Sequence, residues 1–90
     1  MLNQLCSLRR KINEALAVGE ADISWDKKYD VLFEHYDKYL RFAVKDVGLT
    51  LFWVDPDTSY EEDAGAYLNA LLDLADTVDA LISAIEEAKE

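Results

Sequence analysis

Ninety residues with a net charge of −10 and 51% hydrophobic side chains describe one small folded domain, residues 1–90, rather than a disordered acidic tail. The charge excludes a protein that holds nucleic acid directly by neutralising phosphates, and it disfavours an anionic membrane surface. The single cysteine, Cys6, excludes an intrachain disulfide and fits a cytoplasmic protein, and no apolar run approaches the ~20 residues needed to span a bilayer.

Met1, Leu5, Leu8, Ile12 and Ala15 recur at helical spacing and predict a first helix over 2–18. Gly19 follows as its expected C-terminal cap. Arg9, Arg10 and Lys11 form the one basic cluster, and Cys6 falls near the core face as an ordinary buried thiol.

A second helix is predicted over 25–47, with Ser24 or Asp22 as N-cap. Its apolar face reads Trp25, Tyr29, Leu32, Tyr36, Leu40, Ala43 and Val47. Glu34 with Lys38 and Asp37 with Arg41 are acid-first pairs at four-residue spacing, which stabilise an exposed helix surface. Gly48 ends the helix. His35, the only histidine, lies at the edge of the apolar face with no nucleophile motif beside it. It reads as a partly exposed surface histidine rather than a general base.

Residues 49–54 (LTLFWV) have β character but no ladder partner, so an extended connector packed over the bundle is expected. Asp55-Pro56-Asp57 then turns the chain.

The third helix, over 60–88, carries the strongest periodicity. Thr58-x-x-Glu61 and Ser59-x-x-Glu62 fit the capping box. Tyr60, Ala64, Tyr67, Leu71, Leu74, Val78, Leu81, Ile85 and Ala88 alternate by four and three, and Leu68, Leu72, Ala75 and Ile82 widen that face. The fold class is therefore all-α: a small up-down bundle of three helices, with a short extended connector (residues 49–54) before a long C-terminal helix.

Charge is distributed unevenly over these elements. Residues 1–54 hold eight acids and eight bases, and residues 55–90 hold eleven acids and one base, Lys89, so the whole −10 lies in the second part. Asp55, Asp57, Ser59, Glu61 and Asp63 alternate like early calcium-loop ligands. The glycine and the bidentate glutamate such a loop needs are replaced by Tyr60 and Ala66. No metal and no cofactor is expected. A magnesium-dependent nucleotide hydrolase of the all-α kind would hold its metal between inward carboxylates, whereas Asp73 and Asp76 fall opposite the Leu71/Val78 face.

The first-turn acids Glu61, Glu62 and Asp63 complement the helix dipole. Asp73, Asp76, Asp79, Glu86 and Glu87 have no cation within their own helix, and the last two oppose the dipole. The expected function is a non-enzymatic module that docks these five residues, with Trp53 as an aromatic anchor, on a basic protein. A protein that itself binds nucleic acid is one such target. Five acids over about 21 Å of helix approach the ~3.4 Å charge spacing of a DNA strand, the property of nucleic-acid-mimicking inhibitors such as phage anti-restriction and anti-CRISPR proteins. The alternative is an assembly module, for instance a homodimer, joined by apolar contacts through the C-terminal helix or residues 49–54. The nucleotide hydrolase ranks below both.

Overall fold

The computed structural model describes residues 2–51 and 59–88. Its elements are α1 (Leu2–Glu20), α2 (Trp25–His35), a π-helical turn (Tyr36–Leu40), α3 (Arg41–Asp46) and α4 (Tyr60–Ala88). The backbone stays in the right-handed helical region from His35 through Arg41. Thus α2, the π turn and α3 form one continuous rod, and the described residues make three rods in all.

The expected all-α class, three-helix count and long C-terminal helix are all present. The direction of α4 refines the up-down description. Lys28 Nζ donates to the Gly19 carbonyl and His35 Nε2 lies 3.3 Å from Glu14 Oε2, so the α2–α3 rod runs antiparallel to α1. Arg9 meets Asp79, and Gly19 lies against Leu68, so α4 is antiparallel to α1 as well. Tyr29 stacks near Tyr60 and Tyr36 near Tyr67, which sets α4 parallel to the α2–α3 rod. The link between α3 and α4 is therefore a crossover that returns the chain along the bundle. Its described start, Leu49–Leu51, lies beside the π turn, α3 and α4, where the Tyr36 hydroxyl donates to the Leu51 carbonyl at 3.0 Å. Phe52, Trp53, the Asp55–Asp57 turn and Thr58 lie outside the described residues.

The core is a single cluster of Leu5, Leu8, Ile12 and Ala15 from α1, Leu32, Leu40, Val44 and Val47 from the second rod, and Ala64, Tyr67, Leu71, Leu74, Ala75 and Val78 from α4. On the second rod, Val44 replaces the expected Ala43, and Lys28 is buried beside a half-buried Tyr29. The π turn accounts for Val44. The positions 32, 36, 40 and 44 step by four, and each step overshoots a 3.6-residue turn by about 0.4 residue, so three steps gather roughly one extra residue. A single i→i+5 turn absorbs it, and the Arg41 amide duly donates to the Tyr36 carbonyl.

Gly19 is not a cap. It lies inside α1, and Gly48 is the one glycine with positive φ, at +76°. Gly48 closes α3 as expected: its own N–H reaches the Lys45 carbonyl, and the Leu49 N–H reaches Val44, the paired bonds of a Schellman motif. At the start of α4, the Ser59 hydroxyl accepts the Glu62 N–H at 3.3 Å, one half of the predicted capping box. Both predicted surface pairs form, Lys38–Glu34 at 2.6 Å and Arg41–Asp37 at 3.4 Å.

The four-three face of α4 is fully buried only from Ala64 to Val78. The parallel register sets Asp46, the last residue of α3, level with Thr77. Over that stretch Leu49–Leu51, not α3, lies against Ala70, Leu74 and Thr77 of α4; beyond it α1 is the one described neighbour, so Ile82 and Ile85 are half-buried and Leu81 is exposed.

Candidate functional site

The outer face of α4 is where the sequence directs attention, and the structure divides its five acids into two groups. At about 100° per residue, Asp79 and Glu86 fall within roughly 20° of Leu68, on the flank that faces α1. Asp73, Asp76 and Glu87 fall about 140–160° from Leu71, on the side away from the core. All five are exposed.

Asp79 has a partner that its own helix could not supply. Arg9 Nε donates to its carboxylate at 2.9 Å, bridging α1 and α4, and the same guanidinium reaches Asn13. The register fixed by Gly19–Leu68 and Arg9–Asp79 puts Glu86 level with Leu2, where the free amides of the first turn of α1 carry positive partial charge. That turn contains no acid of its own, and no ion pair to Glu86 forms among the described residues.

Asp73, Asp76 and Glu87 likewise have no ion-pair partner among the described residues. Thr77 Oγ1 donates to the carbonyl of Asp73, leaving its carboxylate uninvolved. Around these acids the outer face is Gly65, Ala66, Asn69, Leu72, Ala80, Ser83 and Ala84, and α4 has no basic residue. Such a surface is flat, with carboxylates standing proud of short side chains. Chemically it can attract cationic groups through a solvent-screened field, an interaction that weakens as salt rises. Trp53, the sixth expected contact residue, lies outside the described residues.

The remaining candidates resolve as follows. His35 is largely buried, with Nε2 near the exposed Glu14 carboxylate and its ring 5.5 Å from that of Tyr39. Cys6 is exposed rather than buried, because it follows Leu5 by one residue and so points about 100° off the core direction. No group of three or more metal-ligating side chains occurs among the described residues, and no helix there is long and apolar enough to cross a membrane. The buried described residues are apolar except for the Tyr67 hydroxyl and for Lys28, whose ammonium is engaged by Gly19 and by the Trp25 ring.

No protein-family model matches the chain, and no curated protein or solved structure is significantly similar to it.

Proposed function

We propose that this chain is a non-enzymatic binding module that docks the outer face of α4 on a basic surface of another protein. The observation that carries the reading is the contrast between the helices. The second rod, residues 25–46, balances five acids with five bases and pairs Glu34 with Lys38 and Asp37 with Arg41. By contrast, α4 exposes Asp73, Asp76 and Glu87 on a face without a cation. Charges left together in this way raise the local potential and steer a cationic partner toward that face.

The outward group is sparser than the sequence count. Three acids between Asp73 and Glu87 give one charge per roughly 7 Å of helix, about half the density of a DNA strand. The reading therefore rests on a general acidic face, and an inhibitor that copies phosphate spacing is its more demanding form. The assembly alternative through α4 would use the part of its four-three face beyond Val78, where Leu81 is exposed and Ile82 and Ile85 are half-buried.

The test compares affinity capture from the native host with the wild-type chain and with Asp73→Asn/Asp76→Asn/Glu87→Gln. The wild type should retain a basic protein whose affinity falls steeply with salt. The triple variant should lose that protein by at least about tenfold, the equivalent of ~1.4 kcal/mol, at unchanged helicity. Asp79→Asn/Glu86→Gln should lose less. A retained partner that is not basic, or binding indifferent to salt, would refute the proposal.

A further inference from the structure

Of the three seams between rods, the α2–α4 seam is overlaid by Leu49–Leu51 and the α1–α4 seam is bridged by Arg9–Asp79. The α1–α2 seam is crossed by Lys28–Gly19 and Glu14–His35, and the depressions along it are walled, among the described residues, only by α1 and the α2–α3 rod. Three contiguous depressions of about 230, 170 and 190 Å³ run along it, sharing Ser7, Lys11 and Tyr39 in their walls. Val31 and Tyr39 line it from the α2–α3 side at 43 and 50% exposure, and Tyr39 belongs to the π turn, a feature often found at functional sites.

We propose that a second copy of the chain occupies this seam, two-fold related to the first. The argument is charge complementarity at two scales. Among the described residues, the elements flanking the seam carry nearly balanced charge, while α4, across the bundle from the seam, carries eight acids and no base. Joining two seams therefore keeps the acidic faces as far apart as the bundle allows. Within the seam, the register of Glu14 with His35 and Gly19 with Lys28 sets Lys11 level with Lys38 and Tyr39, Ser7 with Phe42, and Val18 with Val31. A two-fold axis between the levels of Lys11 and Glu14 then sets each Lys11 opposite the other copy's Glu14. It likewise sets Tyr39 opposite His35, each contact made twice, as a two-fold interface requires. Lys11 has no carboxylate partner among the described residues, its ammonium donating to Ser7 Oγ.

The seam is about 22 Å long and two helices, roughly 20 Å, wide. It would bury on the order of 900 Å² over both copies, at the low end for a specific interface. The dimer should accordingly dissociate on dilution.

Sedimentation of the full chain at physiological salt tests this. The mass should rise toward twice that of one chain between about 10 µM and 1 mM, the range suited to a contact of this size. Tyr39→Asp, Lys11→Glu and Glu14→Lys should each leave a monomer of unchanged helicity, and Lys11→Glu/Glu14→Lys should restore the dimer. Asp73→Asn/Asp76→Asn should dimerise like the wild type, which separates this interface from the acidic face of the proposed function. A wild-type monomer throughout that range would overturn the proposal. So would a dimer that survives all three single substitutions, or a folded charge-swap variant that stays monomeric.

Discussion

Lys28 offers the sharpest test of how the bundle is closed, because it is the only buried charged residue described. Its Nζ lies 2.9 Å from the Gly19 carbonyl in the last turn of α1 and 4.2 Å from the centre of the Trp25 ring. The ammonium thus caps a helix end that has no basic residue of its own. Lys28→Met keeps the stem and removes the charge. A hydrogen bond from a charged donor contributes about 1.5–3 kcal/mol, and the ring contact adds roughly 0.5–1 kcal/mol. Methionine recovers part of this, since no ammonium is then withdrawn from water and the half-exposed Gly19 carbonyl can take a water instead. The net loss should be about 1–2 kcal/mol, which for a domain of this size lowers Tm by roughly 5–15 °C. Urea and thermal unfolding followed by circular dichroism measure both, with an unchanged urea slope showing that the comparison is sound. Lys27→Met, one residue away and exposed, should stay within about 0.5 kcal/mol of wild type. If Lys28→Met proved as stable as the wild type, the ammonium would not be holding α1 to α2.

Two further substitutions probe α4 against its neighbours. A Cβ added at Gly19 would come 2.6 Å from Leu68 Cδ1, the free end of a flexible side chain. Gly19→Ala should therefore sit within about 0.5 kcal/mol of wild type, because the better helix propensity of alanine, worth about 1 kcal/mol, offsets the rearrangement. In a Leu68→Ala background the same change should stabilise by about that full amount, and a urea measurement showing a loss of 2 kcal/mol or more there would sink the account. Burial pushes the Tyr67 hydroxyl above its ordinary range. A group raised in this way stabilises the fold below its unfolded pKa of about 10 and loses that contribution as pH climbs toward the folded value. Tyr67→Phe should consequently soften the fall in urea midpoint above about pH 10, and identical alkaline slopes for the two proteins would rule this out.

Local signals in the sequence account for much of the fold. Gly48, Ser59 and the Glu34–Lys38 and Asp37–Arg41 pairs all act through neighbours three or four residues away, where spacing alone determines contact. The failures share a different cause. Gly19 after an apolar run can be either a cap or a close-packing position, and only Leu68 decides between them. The π turn escapes a period search because Leu32, Tyr36, Leu40 and Val44 step by four, a spacing that also suits an α-helix. Arg9 and Asp79 are 70 residues apart, so their pairing depends on the direction of α4, which no local pattern encodes. Leu81 continues the four-three face yet is exposed, because the buried length of one helix is set by where its neighbours end.

The charge layout ties the two proposals together. A face with three outward carboxylates exerts its pull through solvent, so its strength depends on what else lies within a Debye length, about 8 Å at physiological ionic strength. The bundle is 23 × 19 Å in cross-section. Across that width the cations of the α1–α2 seam are screened from the outer face of α4, and the acidic face acts independently of whether the seam is occupied. A dimer through the seam would hold two such faces about 40 Å apart, two bundle widths, and facing in opposite directions. A compact basic partner could then touch one face at a time. Dimerisation would change how many partners a particle carries, with no gain in affinity from simultaneous engagement.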